Sequence, residues 1–152
     1  MRDSSLSSST SSIEITTVGL DRLDTIRRLN VAIFDEQRII NTFDREDIRA
    51  YIAWVQTKAV GFKLGYRLSE TAFYSAKGGV LPGFRRRGIA RALLHVMMDD
   101  VRAAGYERFV YDTFPNKHPG MTVLGLEEGF HVRKAGYSPQ YQDYRLRFEK
   151  DL

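Results

Sequence analysis

The chain contains no cysteine among its 152 residues. Disulfide bonds, thiolate metal sites and a cysteine nucleophile are therefore all excluded. Histidine is scarce as well, since only His95, His118 and His131 are present. Their separations do not match the spacing of metal ligands, so we expect no bound metal.

Long apolar runs are also missing. No segment approaches the roughly 20 apolar residues that cross a bilayer, so we expect no membrane association. Residues 1–12, MRDSSLSSSTSS, lack the apolar core of a secretory signal, and their composition predicts a flexible serine-rich tail. We therefore expect a cytoplasmic protein whose single domain spans residues 13–152, a length that suits one hydrophobic core.

The charge balance is modestly basic, with 23 Lys and Arg against 19 Asp and Glu and a net charge of +4. This balance favours an anionic ligand. The basic residues are spread along the chain rather than gathered into a tail or one long run, so nucleic acid is not the expected ligand.

Apolar periodicity and turn residues predict an α/β domain with the element order β-α-α-β-β-β-α-β-α-β. Asp21 is predicted to cap the first helix, and the segment 34–47 is predicted to be a short helix or irregular. The strands are predicted at 13–18, 50–56, 59–68, 72–81, 108–114 and 140–149, and the later helices at 89–104 and 121–130.

The segment LPGFRRRGIARALL, residues 81–94, places three arginines at the start of a predicted helix. The helix dipole disfavours cations there, so the charge calls for an explanation. One explanation is a solvated basic edge. A second explanation, a Walker phosphate loop, is excluded because Ile89-Ala90 occupies the positions where that motif requires Lys-Ser/Thr. The third explanation is a loop that wraps a pyrophosphate, in which the small residues Gly88 and Ala90 let backbone amides approach the anion.

This segment, with the strand that ends at Val80, resembles the acetyl-CoA signature of the GCN5-related N-acetyltransferases (GNAT). Arg85, Gly88 and Ala90 occupy the named positions of that signature, and the preceding strand, the following helix and the strand 108–114 fall in the family order. The resemblance covers about residues 13–148. It implies an α/β (α+β) fold: a mixed, mostly antiparallel sheet, flanked by helices and splayed between its fourth and fifth strands to admit the pantetheine arm.

The resemblance also implies a binding site for acetyl-CoA. Backbone groups of Val80 and Leu81 would pair with the pantetheine, and amides between Arg86 and Arg91 would hold the pyrophosphate, aided by arginine side chains. The residues expected to bind the cofactor are Val80, Leu81, Arg85, Arg86, Arg87, Gly88, Ile89, Ala90, Arg91 and Asn116.

Direct transfer from a thioester to an amine needs a neutral amine, a polarised carbonyl and a proton for the departing thiolate. The family often supplies that proton from a tyrosine four residues before a Gly-Phe pair. Here that position is Gly125, so the usual proton donor is absent. Tyr111, Glu36 and His118 are the candidate substitutes. Tyr111 is equally consistent with core packing, Glu36 with an inert surface carboxylate, and His118 with an exposed loop position.

The resemblance therefore implies an N-acetyltransferase that moves an acetyl group from acetyl-CoA to a primary amine of a small molecule or a protein. It would work as a monomer or homodimer. Two alternatives stay open: transfer of a longer acyl group, and an acyl-CoA sensor that has lost its catalytic acid at Gly125. Turnover with a panel of amines would separate the enzyme from the sensor.

Overall fold

A computed structural model describes residues 12–152; the predicted serine-rich tail lies outside the described residues except for Ser12. The strands are β1 (Ile13–Val18), β2 (Arg49–Val55), β3 (Lys58–Arg67), β4 (Ala72–Val80), β5 (Arg108–Thr113), β6 (His131–Ser138) and β7 (Asp143–Asp151). The helices are α1 (Leu23–Phe34), α2 (Ile89–Ala103) and α3 (Pro119–Glu127).

All seven strands form one sheet in the order β1-β2-β3-β4-β5-β7-β6. Every neighbouring pair is antiparallel except β4 and β5, which are parallel. This arrangement confirms the predicted fold class.

The β4–β5 pairing is short. It joins Ala72–Ser75 to Arg108–Tyr111 and then stops, although β4 continues to Val80. Just beyond Ser75, the register between β3 and β4 shifts so that Ala76 has no partner on β3. An extra residue of this kind bends its strand. The bulge thus accompanies the separation of β4 from β5, which is the splay that the family resemblance implies.

Each face of the sheet is covered by helix. On one face, α2 and α3 pack on aromatic residues of β4, β5 and β7, among them Phe73, Phe109 and Phe148. On the other face, α1 packs on Ile52, Phe62 and neighbouring apolar residues of β2 and β3. The layer under α2 and α3 spans the splay, because it contains residues of both β4 and β5, whereas the buried strand residues of the α1 layer lie on β2 and β3.

Three details differ from the sequence-based prediction or complete it. The segment 35–48 contains no helix or strand, so the irregular alternative is correct. Asp21 lies in a 3-10 turn and makes no capping hydrogen bond, and α1 begins at Leu23. β6 was not predicted, because seven of its eight residues are exposed and its sequence lacks an alternating apolar face.

Close packing at Gly65 gives a test of the β3–β4 register. A Cβ atom there would lie 2.6 Å from Cε2 of Phe73 and 2.5 Å from the carbonyl oxygen of Tyr74. Gly65→Ala should therefore lower the free energy of unfolding by about 1–3 kcal/mol, as overpacking does. Denaturant unfolding measures this loss.

Gly136→Ala is the matched control, because a Cβ atom on this β6 residue has nothing within 4 Å. The control should change stability by about 0.5 kcal/mol or less. Equal losses in the two variants would contradict the described packing of β3 on β4.

Candidate active site

The splay between β4 and β5 opens into a cleft of about 1510 Å³. Its walls are the ends of β4 and β5, the start of α2, the start of α3, and the irregular segment that follows α1. Large clefts at such a break in a sheet are the usual location of a ligand site.

The start of α2 forms one end of the cleft. Gly88 is the N-cap of the helix, with φ of 77° and no side-chain cap, and a Cβ atom there would meet nothing within 4 Å. The backbone of Arg86, two residues earlier, also lies in the left-handed region, with φ of 64°. The first amides of a helix have no intrahelical acceptor, and their dipoles favour an anion. The backbone of this loop therefore leaves helix amides without an intrahelical acceptor at the cleft wall, an arrangement that suits an anion.

The arginine side chains of this loop serve different purposes. Arg85 Nε donates a hydrogen bond of 3.1 Å to the carbonyl of Val80, which fixes the loop to the end of β4. The guanidinium of Arg87 lies 4.9 Å from the ring centre of Phe84. Arg91 pairs with α3 through Glu127, at 2.6 Å, and Glu128. Arg86 remains at the cleft wall beside Gly88.

Most of the expected cofactor residues come together at the cleft. Leu81, Arg87 and Asn116 do not line it. The amide of Leu81 donates to the carbonyl of Val60, and Asn116 Nδ2 donates to Asp143 Oδ1 at 3.0 Å. The expected residues that line the cleft are Val80, Arg85, Arg86, Gly88, Ile89, Ala90 and Arg91.

Tyr111 reaches the cleft from β5 but is almost fully buried. Its hydroxyl donates a hydrogen bond of 2.8 Å to the carbonyl of Met121 in the first turn of α3. A Cβ atom on Gly125 would overlap that hydroxyl, so Tyr111 fills the space that the missing side chain leaves. Burial raises the pKa of Tyr111 above its ordinary value.

Glu36 lies on the opposite wall and forms an ion pair of 2.7 Å with Lys77 of β4. The side chain of Asn30 donates to the carbonyls of Glu36 and Arg38, at 2.7 and 3.2 Å, and so ties this segment to α1. The ring of His118 lies edge-on to Phe34 of α1. Burial is the main cause that lowers the pKa of His118, and the positive charges of Lys117 and Arg85 lower it further. The three predicted catalytic candidates thus all line one cleft.

Two groups in the cleft wall are not among the predicted site residues. Asp112 of β5 accepts a hydrogen bond of 2.9 Å from the hydroxyl of Tyr74 and pairs with Arg147 at 2.8 and 3.0 Å. Lys63 of β3 is buried, although lysine is rarely buried unless it is paired. One signal in the sequence pointed to it, a single cation within the otherwise apolar strand GFKLGY.

Within residues 12–152, no cluster of three or more His, Asp or Glu side chains is arranged to hold a metal ion. In the same part of the chain, no helix combines the length and the apolar character that a membrane span requires.

Solved structures similar to this fold include several acetyltransferases. The IAA acetyltransferase from Bacillus cereus superposes with a TM-score of 0.80 at 15% identity, over 93% of this chain and 100% of that chain. The ribosomal-protein-S18-alanine N-acetyltransferase from Escherichia coli superposes with a TM-score of 0.78 at 14% identity, over 92% of this chain and 94% of that chain. A GNAT family acetyltransferase from Elizabethkingia anophelis with acetyl-CoA bound superposes with a TM-score of 0.76 at 15% identity, over 92% of this chain and 98% of that chain.

At these identities the structural likeness establishes the fold. A comparison with curated protein sequences gives no match. The sequence model of the acetyltransferase (GNAT) family, in contrast, matches residues 21–122, which is about two thirds of the chain and contains the arginine loop, the splay and α2. Sequence and fold agree, and the chain belongs to the GNAT family of acetyltransferases.

Proposed function

We propose that this protein transfers an acetyl group from acetyl-CoA directly to a primary amine. The observation that carries this proposal is the open N-terminus of α2 at the mouth of the β4–β5 gap. The amides that follow Gly88 would bind the pyrophosphate, and Arg86 would add charge-assisted hydrogen bonds. The pantetheine arm would then run inward along β4, from Val80 toward Ser75, as an added strand does.

The backbone of β4 offers a partner for that arm. The amide of Leu81 already donates to β3, and the carbonyl of Val80 accepts from Arg85. The unpaired groups in the gap are therefore those of the stretch between Ala76 and Val80 that face β5, since the pairing with β5 ends at Ser75. The thioester would lie near the inner end of the gap, close to Ser75 and Tyr111.

The amine would approach from the side of α1, past the wall that holds Glu36 and Lys77. In the reaction the amine nitrogen attacks the thioester carbonyl carbon, the carbon–sulfur bond breaks, and the nitrogen loses a proton to water. Much of the rate would come from holding the two reactants together. The amine belongs to a small molecule or a protein, and we propose a cytoplasmic monomer or homodimer.

Acetyl-CoA should raise the melting temperature, because a ligand selective for the folded state stabilises that state. At about a hundredfold above the dissociation constant the gain is about 2.7 kcal/mol. For a chain of this length that corresponds to about 5–10 °C. A melting temperature that does not respond to millimolar acetyl-CoA would rule out the proposed cleft function.

Release of free CoA with a panel of primary amines then separates the alternatives. Turnover identifies an enzyme, and tight binding without turnover identifies a sensor. Faster turnover with a longer acyl-CoA than with acetyl-CoA would overturn the assignment of the acetyl group.

Valine at position 88 should weaken acetyl-CoA binding by about tenfold or more, because its side chain would stand between the helix amides and the pyrophosphate. Calorimetric titration measures the affinity. Valine is also strained at the left-handed backbone of Gly88, so the loss of stability needs a control.

Gly105→Val supplies that control. Gly105 follows the opposite end of α2, has φ of 100°, and a Cβ atom there also meets nothing within 4 Å. Both variants should lose similar stability, and Gly105→Val should bind acetyl-CoA as the wild type does. Wild-type affinity in a folded Gly88→Val protein would show that the loop serves another purpose.

Replacing Tyr111 by Phe should destabilise the protein by about 1–2 kcal/mol, because the Met121 carbonyl loses its buried partner. Its kcat should change by less than about threefold, whereas loss of a general acid costs about 10²–10⁴. Denaturant unfolding and initial rates measure the two effects, with Tyr144→Phe as the exposed control. A hundredfold loss of kcat in folded Tyr111→Phe would instead make Tyr111 the proton donor.

A further inference from the structure

The cleft wall contains a buried cation that has no ion-pair partner among residues 12–152. Lys63 is 6% exposed, yet its side chain lines the cleft. Burial alone shifts its pKa, and no carboxylate among residues 12–152 contributes to that shift. An ammonium in such a place without a carboxylate partner costs stability unless a group bound in the cleft compensates for it.

The backbone register aims Lys63 across β4 toward the gap. Lys63 is paired with Gly78, and a Cβ atom on Gly78 would lie 3.3 Å from Cγ of Lys63, so both residues face the same side of the sheet. Gly61, two residues earlier on β3, faces Leu93 of α2. Lys63 therefore crosses over the side-chain-free Gly78 on the face that α2 and α3 cover.

Tyr111 shares this face, within the hydrophobic layer that α2 and α3 cover, and it is paired with Ser75 at the last position where β4 and β5 meet. Its hydroxyl proton is engaged by the Met121 carbonyl. Gly125, on α3, offers no side chain at all. On the same face, the Lys63 ammonium is a proton donor for which residues 12–152 supply no hydrogen-bond or ion-pair partner.

We propose that Lys63 is the catalytic residue that protonates the departing CoA thiolate. This inference rests on the proposed function. As the carbon–sulfur bond breaks, a proton passes from Nζ of Lys63 to the sulfur, which leaves a neutral lysine and free CoA thiol. The acceptor amine releases its own proton to water, and Lys63 takes up a proton from water before the next turnover.

The acidity of Lys63 suits this step. Burial lowers its pKa from 10.5 to about 8, close to the ordinary value of a thiol. A general acid works best when its pKa lies near the working pH. On the same face, Tyr51 of β2 is paired with Lys63, and its hydroxyl donates to Asp100 of α2 at 2.8 Å. Tyr111 of β5 lies in the same hydrophobic layer, and burial raises the pKa of both tyrosines.

The test is Lys63→Met, an unbranched replacement of similar length that removes the ammonium group. With acetyl-CoA and an accepted amine, kcat should fall by about a hundredfold or more while the affinity for acetyl-CoA changes little. The wild-type kcat should fall as the pH rises through about 8, because neutral Lys63 has no proton to give, and this descending limb should be absent in Lys63→Met. Lys134→Met, on exposed β6, is the matched control and should behave as the wild type.

Two readouts separate catalysis from packing. The melting temperature of Lys63→Met should equal or exceed that of the wild type below pH 8. The difference should narrow as the pH rises from 8 through 10.5, because the wild-type lysine is neutral in both the folded and the unfolded state only above that range. With an aryl thioester, whose thiolate leaves without a proton, the defect of Lys63→Met should largely disappear.

A folded Lys63→Met protein with wild-type kcat and an unchanged pH profile would overturn the assignment, and so would an equal loss with the aryl thioester. If the wild type itself binds no acetyl-CoA or acetylates no amine, the proposed function fails first, so the two failures are distinguishable.

Discussion

The early end of the β4–β5 pairing is the constraint on which the site depends. Inside a sheet every backbone amide and carbonyl normally has a partner, and unpaired buried groups are costly. Here the pairing stops at Ser75 and Tyr111, and the bulge at Ala76 bends β4 away. The backbone beyond Ser75 is left facing a gap, which a ligand with its own amides can fill.

The rest of the fold keeps that gap open and gives it a charged end. The hydrophobic layer under α2 and α3 contains residues of both β4 and β5 and holds the two strands at fixed positions. On one face α1 approaches β4 closely at Gly79, where a Cβ atom would lie 2.9 Å from Cγ2 of Ile33. On the other face, ion pairs of Arg91 with Glu127 and Glu128 link the start of α2 to α3. The start of α2, where we propose that the pyrophosphate binds, is therefore tied to the end of α3.

The sequence predicts the parts of this architecture whose signals are local. The β1 boundaries, the amphipathic α2, and the arginine loop with Gly88 follow from periodicity, turn residues and a motif. β6 could not be predicted, because an exposed edge strand has no buried face and forms through pairing with β7. The short β4–β5 pairing is implied by the family resemblance, whereas its bulge at Ala76 depends on tertiary register.

The same distinction holds for the cleft. The resemblance indicates the loop and reveals the missing tyrosine at position 125. That Tyr111 fills this space, and that Lys63 reaches over Gly78, depend on which residues the sheet places side by side. Asn116 illustrates the limit of counting along the chain, since it bonds to Asp143 outside the cleft wall.

A crystal structure of the protein with acetyl-CoA tests the central claim most directly. The account predicts the pyrophosphate on the amides that follow Gly88, the pantetheine between β4 and β5, and the thioester sulfur within hydrogen-bonding distance of Nζ of Lys63. A pyrophosphate bound elsewhere, or a gap that closes without admitting the pantetheine, would contradict it.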